Sequence, residues 1–452
     1  MRRNLVHDGA GELKYEIREI VDVAHRLRSL GRNITFENIG DPIQKGEEFP
    51  GWIKDIVTEL VSDSKSYAYT ATAGEAETRT VLADIVNKRQ GCKITDDDIL
   101  FFNGLGDAIS KIFSYLKREA RVLGPSPAYS TLSSAEAAHS GYHHTYYRLD
   151  PDNKWLPDIE DIRNKVKYND SIAGILIINP DNPTGAVYPR ELLEEIVSIA
   201  REHGLFLLCD ETYAHIVYNG AETCHLSEVI DEVPGIALRS ISKEFPWPGA
   251  RCGWLEILNR DKDENFSRYA RSLLDAKRLE VCSTTLPQKV IPRVFTDPRY
   301  KEHLNRRRKM FEDRANEAVK ILSKVEGIRV IPPRGAFYLT VLFEEGVLNN
   351  SQTLPIEEPQ IQEYISSITE QVAPDKRFVY YLLGSTGICV VPLTGFYSDL
   401  MGFRVTLLET DDSLRKWTFD TLAKSIKTYT ASTSAERAKH INSLSTAKER
   451  II

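Results

Sequence analysis

The sequence predicts an α/β fold in which a mainly parallel sheet lies between helices. Short apolar segments rich in Ile, Leu and Val alternate with longer segments of helical periodicity, and Gly, Pro, Asn or Asp residues bound the short ones. This alternation is typical of βαβ units, which place helices on both faces of a parallel sheet. The predicted strands are residues 99–102, 121–123, 172–178, 205–209 and 236–241.

The clearest helix is predicted over residues 189–203, between the third and fourth of these strands. Pro189 suits the first turn of a helix, because backbone N–H groups in that turn make no hydrogen bond within the helix and proline lacks one. Gly204 suits the position after the end of the helix. The apolar face between them consists of Leu192, Leu193, Ile196, Ile199 and Ala200.

The two ends of the chain have a different pattern. Residues 1–50 are polar and broken by Gly and Pro, so they predict an arm rather than a domain core. From about residue 261 a long helical stretch, interrupted at Pro287 and Pro298, leads into an α+β portion with strands near 328–330, 336–342, 388–391 and 404–407. We therefore expect a large domain at 51–290, a small domain at 291–428 and a polar tail at 429–452 that is helical or disordered.

Composition excludes several classes of protein. The 452 residues are 42% apolar and 27% charged, an ordinary globular mixture, and the net charge of −7 argues against a nucleic-acid binder. No apolar run approaches the roughly 20 residues that span a bilayer, and no apolar segment follows the two N-terminal arginines. The six cysteines form no CxxC pair, so they predict reduced thiols in a cytoplasmic protein without a membrane partner. His139, His143 and His144 lack nearby Cys or paired carboxylates, so no metal site is predicted.

Polar residues that could take part in binding or catalysis follow five of the predicted strands. Ligands of open α/β sheets bind beyond the carboxyl ends of the strands, so these residues should face one crevice. Gly104 and Gly106 suggest a dinucleotide site, but position 109 is Ile where the third glycine of that motif would stand. The five segments are residues 103–106, 125–129, 179–185, 210–213 and 240–243.

Taken singly, these segments have simpler explanations: a turn at 182–185, a helix cap at Asp210, a surface lysine at Lys243. Taken together and in this order, Asn-Pro-x-Gly, Asp-x-x-Tyr and Ser-x-Ser-Lys followed by Arg251 resemble the class I aminotransferases, enzymes of pyridoxal phosphate (PLP). The resemblance extends from residue 15 to residue 408. It implies the PLP-dependent transferase fold of type I, with a large domain and a smaller α+β domain.

Within that class, several stretches are most similar to bacterial alanine aminotransferases. They are Tyr-Glu-Ile-Arg at 15–18, Asn-Ile-Gly-Asp-Pro at 38–42, Trp-Leu-Pro-Asp at 155–158, residues 179–188, and Pro-Arg-Gly-Ala-Phe-Tyr at 333–338.

The resemblance implies a role for each residue around the cofactor ring. Lys243 would bind PLP as a Schiff base and move a proton, and Asp210 would pair with the ring nitrogen. Tyr213 and Asn182 would bind the phenolic oxygen of the ring, and Tyr129 would stack on its face. The implied catalytic residues are therefore Lys243, Asp210 and Tyr213.

The phosphate would be bound by donors from three segments. Gly104 and Leu105 would offer backbone N–H groups at the start of a helix near Asp107. Tyr69 matches the tyrosine that family members extend to the phosphate of a neighbouring subunit, which implies a homodimer with shared active sites. The remaining phosphate contacts implied are Ser240, Ser242 and Arg251.

The resemblance also implies how substrate is bound. Arg404 would grip the α-carboxylate, because its planar fork offers two parallel hydrogen bonds. Gly40 and Asn182 would lie beside the same carboxylate, and Tyr15 and Arg18 would cover it, although an ordinary helix explains the segment at 15–18 nearly as well.

Two departures from the family pattern stand out. Leu105 occupies a position where a small polar residue is usual, so only its backbone can help there. The segment at 244–249, Glu-Phe-Pro-Trp-Pro-Gly, is bulky and stiff, which puts substrate choice in question more than catalysis.

These observations predict a transaminase that moves the amino group of an L-amino acid to a 2-oxo acid by a ping-pong mechanism. Alanine and glutamate are the favoured amino donors, and pyruvate and 2-oxoglutarate the favoured acceptors. Three alternatives stay open: an aspartate or aromatic aminotransferase, a PLP-dependent lyase or decarboxylase, and a non-catalytic PLP-binding regulator. The last lacks support because only about 40 residues precede Gly40, too few for a DNA-binding domain.

Overall fold

The computed structural model of the 452-residue chain describes residues 5–13 and 16–448. Its helices are α1 Glu16–Ser29, α2 Gly51–Val61, α3 Ala76–Asn87, α4 Leu105–Ser114, α5 Ser130–Ser140, α6 Ile159–Lys167, α7 Arg190–His203, α8 Leu226–Val229, α9 Ile241–Glu244, α10 Glu264–Arg278, α11 Thr285–Phe295, α12 Arg299–Leu322, α13 Pro359–Ile368, α14 Pro374–Thr386 and α15 Asp412–Lys448. Its strands are β1 Thr35–Phe36, β2 Ile99–Phe102, β3 Arg121–Ser126, β4 Tyr146–Asp150, β5 Leu156–Pro157, β6 Ile172–Ile178, β7 Phe206–Asp210, β8 Gly235–Ser240, β9 Gly253–Leu258, β10 Ile328–Val330, β11 Tyr338–Phe343, β12 Ile388–Cys389, β13 Val391–Pro392 and β14 Gly402–Thr406.

The chain divides into two compact units. Within the described residues, the first unit contains 5–13, Asp41–Asp313 and Pro333–Phe337, and the second contains Glu16–Gly40, Arg314–Pro332 and 338–448. The sequence placed the domain limits at 50/51 and 290/291, and those limits remain predictions. Residues 429–448 continue α15. Among all the residues that the structure describes, no helix is both long enough and apolar enough to cross a membrane.

The first unit is built on an eight-stranded sheet in the order β2-β9-β8-β7-β6-β3-β4-β5. Strands β8, β7, β6, β3 and β4 run parallel to one another, while β9 pairs antiparallel with β8 and β2, and β5 pairs antiparallel with β4. The predicted α/β fold with a mainly parallel sheet is confirmed.

Burial on both faces explains why these strands read as nearly continuous apolar runs. All four residues of β2, all six of β8 and all six of β9 are buried. Helix α7 follows its predicted signals: Pro189 stands before its first residue, and Gly204 ends it in the left-handed conformation with φ 64°.

One predicted helix boundary is confirmed and one is wrong. Helix α4 begins at Leu105, two residues from the predicted start near Asp107, because Gly104 takes the cap position with φ 85°. Pro287 does not interrupt a helix but lies in the first turn of α11, where a missing N–H removes no intrahelical bond. The break therefore falls between α10 and α11.

The second unit is an α+β structure. Its four-stranded antiparallel sheet has the order β10-β11-β14-β13, and β1 pairs with β12 as a separate parallel pair. Helix α1 buries Ile20, Ala24 and Leu27 at helical spacing, so this part of the predicted arm contributes to a packed core. The N–H of Thr406 donates to the Glu37 carbonyl at 2.9 Å, which ties the segment after β1 to β14.

Candidate active site

The predicted cofactor residues of the first unit follow strands that end at one edge of the sheet. Ile178 at the end of β6 pairs with Asp210 at the end of β7, and Asp210 pairs with Leu238 near the end of β8. Strand β2 is antiparallel to β9, which is antiparallel to β8, so β2 ends at the same edge. The topology thus brings the segments after β2, β6, β7 and β8 to a common edge.

An anion-binding arrangement lies at the start of α4. Gly104 precedes the helix, and a Cβ built on it would lie only 2.5 Å from Nη2 of Arg251. The guanidinium therefore stands directly over the glycine, beside the first N–H groups of α4, which have no acceptor within the helix. A helix N-terminus with an adjacent arginine favours a bound phosphate.

The predicted lysine lies on the one-turn helix α9, directly after β8. Ser240 caps this helix: its Oγ accepts from the N–H of Ser242 at 3.0 Å and donates to the Ser242 hydroxyl at 2.8 Å. The Lys243 carbonyl accepts a hydrogen bond from Arg307 of α12, and its Nζ is 5.9 Å from the centre of the Phe337 ring. These contacts fix the backbone of Lys243, and so the point from which its side chain extends.

Asp210 is the last residue of β7, and its side chain lies in a dry environment. The residue is 7% exposed, and one carboxylate oxygen accepts from the N–H of Thr212 at 3.0 Å. Burial raises the pKa of Asp210, while Thr212 and Lys243 act in the opposite direction. Such a carboxylate gains from a cationic partner, because a nearby positive charge compensates its loss of water.

Tyr213, Asn182 and Tyr129 complete the predicted ring contacts. Tyr213 is buried and meets Phe337 edge to face, with 5.2 Å between ring centres. Asn182 is buried in the turn after β6, and Tyr129 is half-buried, immediately before α5.

Arg404 and Gly40 both lie in the second unit. Arg404, in the middle of β14, is 1% exposed, and its Nη2 donates to the Asn38 carbonyl at 2.6 Å. Its guanidinium carbon is 4.3 Å and 4.9 Å from the ring centres of Tyr338 and Phe396. Gly40 follows Asn38 by two residues and is half-buried.

Three predicted residues are not part of these buried groups. Arg18 is exposed on α1, and Tyr15 lies outside the described residues. Tyr69 is 82% exposed on the segment before α3, so within one chain its side chain is not enclosed.

The structure adds four residues that sequence reasoning gave no individual role. Phe337 contacts Tyr213 and faces Lys243, Arg307 binds the Lys243 carbonyl, and Asp181 is fully buried beside Asn182. Glu244, the residue after the lysine, is 6% exposed, and burial raises its pKa to about 7. A glycine-rich motif can be recognised from neighbouring residues in the sequence. Arg307 lies within a polar helix, so its partner can be recognised only in the folded structure.

A second group of charges lies beside Asp210 along the chain. Glu211 accepts from Arg239 Nη1 at 2.7 Å and lies 2.6 Å from Nδ1 of His225, and all three residues are buried. Burial alone would raise the pKa of Glu211, but His225 and Arg239 outweigh it and lower that pKa.

Comparison with known proteins assigns the chain to a family. The sequence model of the family described as aminotransferase class I and II matches residues 38–416. The chain belongs to the class I and II aminotransferases. This assignment confirms the predicted family, the predicted transaminase activity and the predicted dependence on PLP.

Individual relatives of this aminotransferase agree with the family. It is 56% identical over 426 residues to an uncharacterized aminotransferase of Methanocaldococcus jannaschii, covering 94% of the chain and 99% of that protein. It is 30% identical over 329 residues to the glutamate–pyruvate aminotransferase of Escherichia coli, covering 72% of the chain and 79% of that protein. Among solved structures, alanine aminotransferase from Pyrococcus furiosus matches with a TM-score of 0.80 at 27% identity, covering 94% of this chain and 100% of that one.

The residues of the aminotransferase fit the cofactor of its family. Gly104 lets the Arg251 guanidinium approach the start of α4, because any Cβ there would collide with it, and a guanidinium beside a helix N-terminus suits an anion. At the same edge of the sheet, the buried Asp210 suits a protonated ring nitrogen, and Lys243 provides a primary amine. An anion site, a buried acid and an amine are the three groups that a phosphorylated pyridine aldehyde requires.

Proposed function

We propose that this aminotransferase exchanges amino groups between L-alanine or L-glutamate and the 2-oxo acids pyruvate and 2-oxoglutarate. The observation that supports this choice is its 30% identity with the glutamate–pyruvate aminotransferase of Escherichia coli over 72% of the chain. The exchange runs as two half-reactions, in which one amino acid leaves as an oxo acid before the second oxo acid binds.

When bound, PLP supplies an aldehyde that holds the amino group between half-reactions and a protonated ring that takes up electrons released at the substrate α-carbon. Asp210 keeps the ring nitrogen protonated through an ion pair in a buried setting. Tyr213 and Asn182 donate hydrogen bonds to the ring oxygen, and Tyr129 packs on the ring face.

Five residues bind the phosphate in this proposal. Leu105 offers its backbone N–H at the start of α4, and Arg251 offers its guanidinium. The Gly104 N–H donates to the Phe102 carbonyl at 2.8 Å in the structure, so in this proposal it turns to the phosphate when the cofactor binds. Ser240 and Ser242 add hydroxyl groups from the end of β8 and the start of α9. Because these contacts come from three segments of backbone, the phosphate end of the cofactor is held in place relative to Asp210 and Lys243.

Lys243 moves the proton between the substrate α-carbon and the cofactor carbon to which the amino group becomes attached. Its Nζ is 5.9 Å from the centre of the Phe337 ring, in the same unit as Asp210 and Tyr213. Arg307 holds the Lys243 carbonyl and so limits the positions that Nζ can reach.

Arg404 binds the α-carboxylate of the substrate in this proposal. The Asn38 carbonyl and the rings of Tyr338 and Phe396 fix the guanidinium plane, so binding requires little ordering of the side chain. Gly40, close in sequence to Asn38, approaches the carboxylate through its backbone, and Arg18 and Tyr15 belong to the covering segment.

We also propose a homodimer in which Tyr69 reaches the phosphate of the partner subunit. The side chains of Tyr69, Tyr67 and Leu279 are 82%, 72% and 84% exposed. Thr285 donates to the Ala68 carbonyl at 2.6 Å, which joins the segment of the two tyrosines to the one after α10. Large apolar side chains clustered on a surface are typical of an interface. Cytoplasmic localisation remains a prediction from the cysteines.

The test is a single-turnover experiment on the holoenzyme without any oxo acid. Ala, Glu, Asp, Phe and Cys are added in turn, and absorbance follows conversion of the bound cofactor to its amine form. We expect conversion with Ala and Glu, and reversal on adding pyruvate. Conversion only with Asp or Phe would contradict the proposed substrates but not transamination, whereas release of ammonia or CO₂ would contradict transamination itself.

A further inference from the structure

Asp181 is a buried carboxyl group with no assigned role in the reaction. It lies in the turn after β6, immediately before Asn182, and it is fully buried. One carboxylate oxygen accepts hydrogen bonds from the N–H and the hydroxyl of Thr184, the first at 3.0 Å. The other, Oδ1, has no hydrogen-bond partner among the residues that the structure describes. An oxygen of this kind is where a buried carboxyl holds a proton at least cost.

The backbone places this carboxyl beside Asp210. Ile178 pairs with Asp210 across the parallel strands, and the N–H of Asn179 donates to the Asp210 carbonyl at 3.0 Å. Asp181 follows two residues later, and its own backbone is fixed by bonds from its N–H to the Ala186 carbonyl and from the Gly185 N–H to its carbonyl. Two acidic side chains thus leave adjacent strand ends on a rigid backbone.

The groups that face Asp181 from other elements are poor counter-ions. They are Tyr147 of β4, Tyr188 after the turn and Asp210 of β7. Burial raises the pKa of Tyr147 and Tyr188, so these two groups remain neutral near pH 7. Asp210 is therefore the charged neighbour that matters, and Lys243 is the cation that faces Asp210.

Two carboxyl groups in one dry site do not both ionise readily, because like charges repel and neither is solvated. One of them keeps a proton while the other becomes an anion. Asp210 is the member that a cationic ring nitrogen would stabilise as the anion, which leaves the proton to Asp181. Burial, with a smaller contribution from Asp210, raises the pKa of Asp181 to about 7, which agrees with this division.

We propose that Asp181 is a positioning residue whose carboxyl group holds a proton near neutral pH and thereby sets the charge felt by Asp210 and the cofactor ring. The proposal rests on the proposed pairing of Asp210 with the ring nitrogen. When Asp181 loses its proton, a second negative charge arises behind Asp210 and increases the proton affinity of the ring.

The first test uses the holoenzyme without substrate. The absorbance of bound PLP is recorded from pH 5 to 9 for the wild type and for Asp181→Asn, which keeps the acceptor for Thr184 but has no charge. We expect the wild type to show a step with a midpoint near the Asp181 pKa of about 7. A Schiff base of PLP also changes absorbance with its own protonation, so the variant should keep a step whose midpoint is moved from that of the wild type. Identical titrations of the two proteins would overturn the proposal.

The second test uses the protein without cofactor and needs no activity. A carboxyl group whose pKa is raised on folding makes the folded state less stable as pH rises from its unfolded value of 3.8 towards its folded value of about 7. The unfolding free energy of Asp181→Asn relative to the wild type should therefore increase across this range and level off above it. A difference that is the same at every pH would mean a purely structural role and would overturn the proposal.

Two further variants make the result specific. Thr184→Val removes one hydrogen bond to the ionised form, so the absorbance step should move up by about one to two pH units. Asp375→Asn changes a buried carboxyl of the second unit whose pKa burial also raises, and it should leave the absorbance step in place. A step that moved in Asp375→Asn or stayed fixed in Thr184→Val would contradict the assignment to Asp181. These measurements need no substrate, so they would give the same result even if alanine and glutamate were not the substrates. The role of Asp181 and the proposed substrates can therefore be contradicted independently.

Discussion

Two consecutive residues at the end of β7 experience opposite electrostatic environments. Asp210 and Glu211 are both buried, yet the pKa of Asp210 is raised and that of Glu211 is lowered. Burial acts on both in the same direction, so the difference comes from the partners. Glu211 has Arg239, His225 and the N–H of Leu226, at 2.7 Å, 2.6 Å and 2.7 Å.

The comparison separates a charge that serves the fold from one that serves chemistry. The Glu211 carboxylate is already neutralised by groups of the same unit, and removing it would leave Arg239 buried without its main partner. The Asp210 carboxylate makes a backbone bond to Thr212 and is only partly compensated by Lys243. A buried acid left in this state gains most from a cation that arrives from outside, such as a ring nitrogen.

The largest expected effect on the reaction rate comes from Lys243→Ala. Without the amine, no group is placed to move the proton at the α-carbon, so single-turnover conversion should slow by at least about 10⁴-fold. Stopped-flow absorbance with L-alanine measures it. The control is Lys262→Ala, which removes an exposed lysine paired with Glu232 and should convert at the wild-type rate. A Lys243→Ala rate within tenfold of wild type would contradict the role of Lys243.

Asp210→Asn should slow the reaction by about 10²–10⁴-fold, because the neutral amide no longer keeps the ring nitrogen protonated. The same change should not destabilise the cofactor-free protein at pH 8, since it removes a buried charge whose pKa is raised by burial. Chemical denaturation checks the second expectation. If the variant reacted normally but unfolded easily, Asp210 would belong with Glu211 as a structural charge.

Glu211→Gln should show the reverse pattern. It removes the carboxylate that is hydrogen-bonded to the buried Arg239, whose other carboxylate, Glu256, is 4.0 Å away, and it should lower the free energy of unfolding by about 3–5 kcal/mol. The lowered pKa of Glu211 means that its stabilisation is fully present above the unfolded value of 4.5 and is lost as pH falls below it. The difference from wild type should thus be constant between pH 6 and 9 and shrink in acid. A difference that grew towards acid pH would contradict the ion pair.

The smallest of these effects is expected for Arg404→Lys. Lysine keeps the charge but loses the two-bonded fork and the flat contacts with Tyr338 and Phe396, so KM for the amino acid should rise about 10–100-fold. The effect on kcat should be smaller, since the group binds the carboxylate in ground and transition states alike. Steady-state kinetics separates the two constants. A change confined to kcat would instead place Arg404 close to the reacting carbon.

The sequence predicted the parts of the fold that have local signals. Strands β2 and β6 have the predicted limits because polar or turn residues bound their apolar runs, and α7 has both of its end signals. The start of α4 was predicted only to within two residues, because a glycine cap with positive φ leaves no distinctive residue after it.

The candidate site divides in the same way. Lys243, Asp210 and Arg251 belong to short motifs that can be recognised in the sequence, and their roles remain predictions. Arg307, Phe337 and the proton on Asp181 depend on which helix or turn packs against which strand end. No spacing in the sequence encodes those contacts, because residue 307 lies 64 positions from its partner at 243.

Gly104 sets a limit on how the protein can vary. Its φ of 85° is unfavourable for any residue with a side chain, and a single added methyl group would lie 2.5 Å from the Arg251 guanidinium. A substitution there would have to displace the arginine before it disturbed anything else. In a library of variants selected for growth on the activity, position 104 should accept glycine alone, whereas Gly106, whose Cβ would meet nothing within 4 Å, should accept other residues.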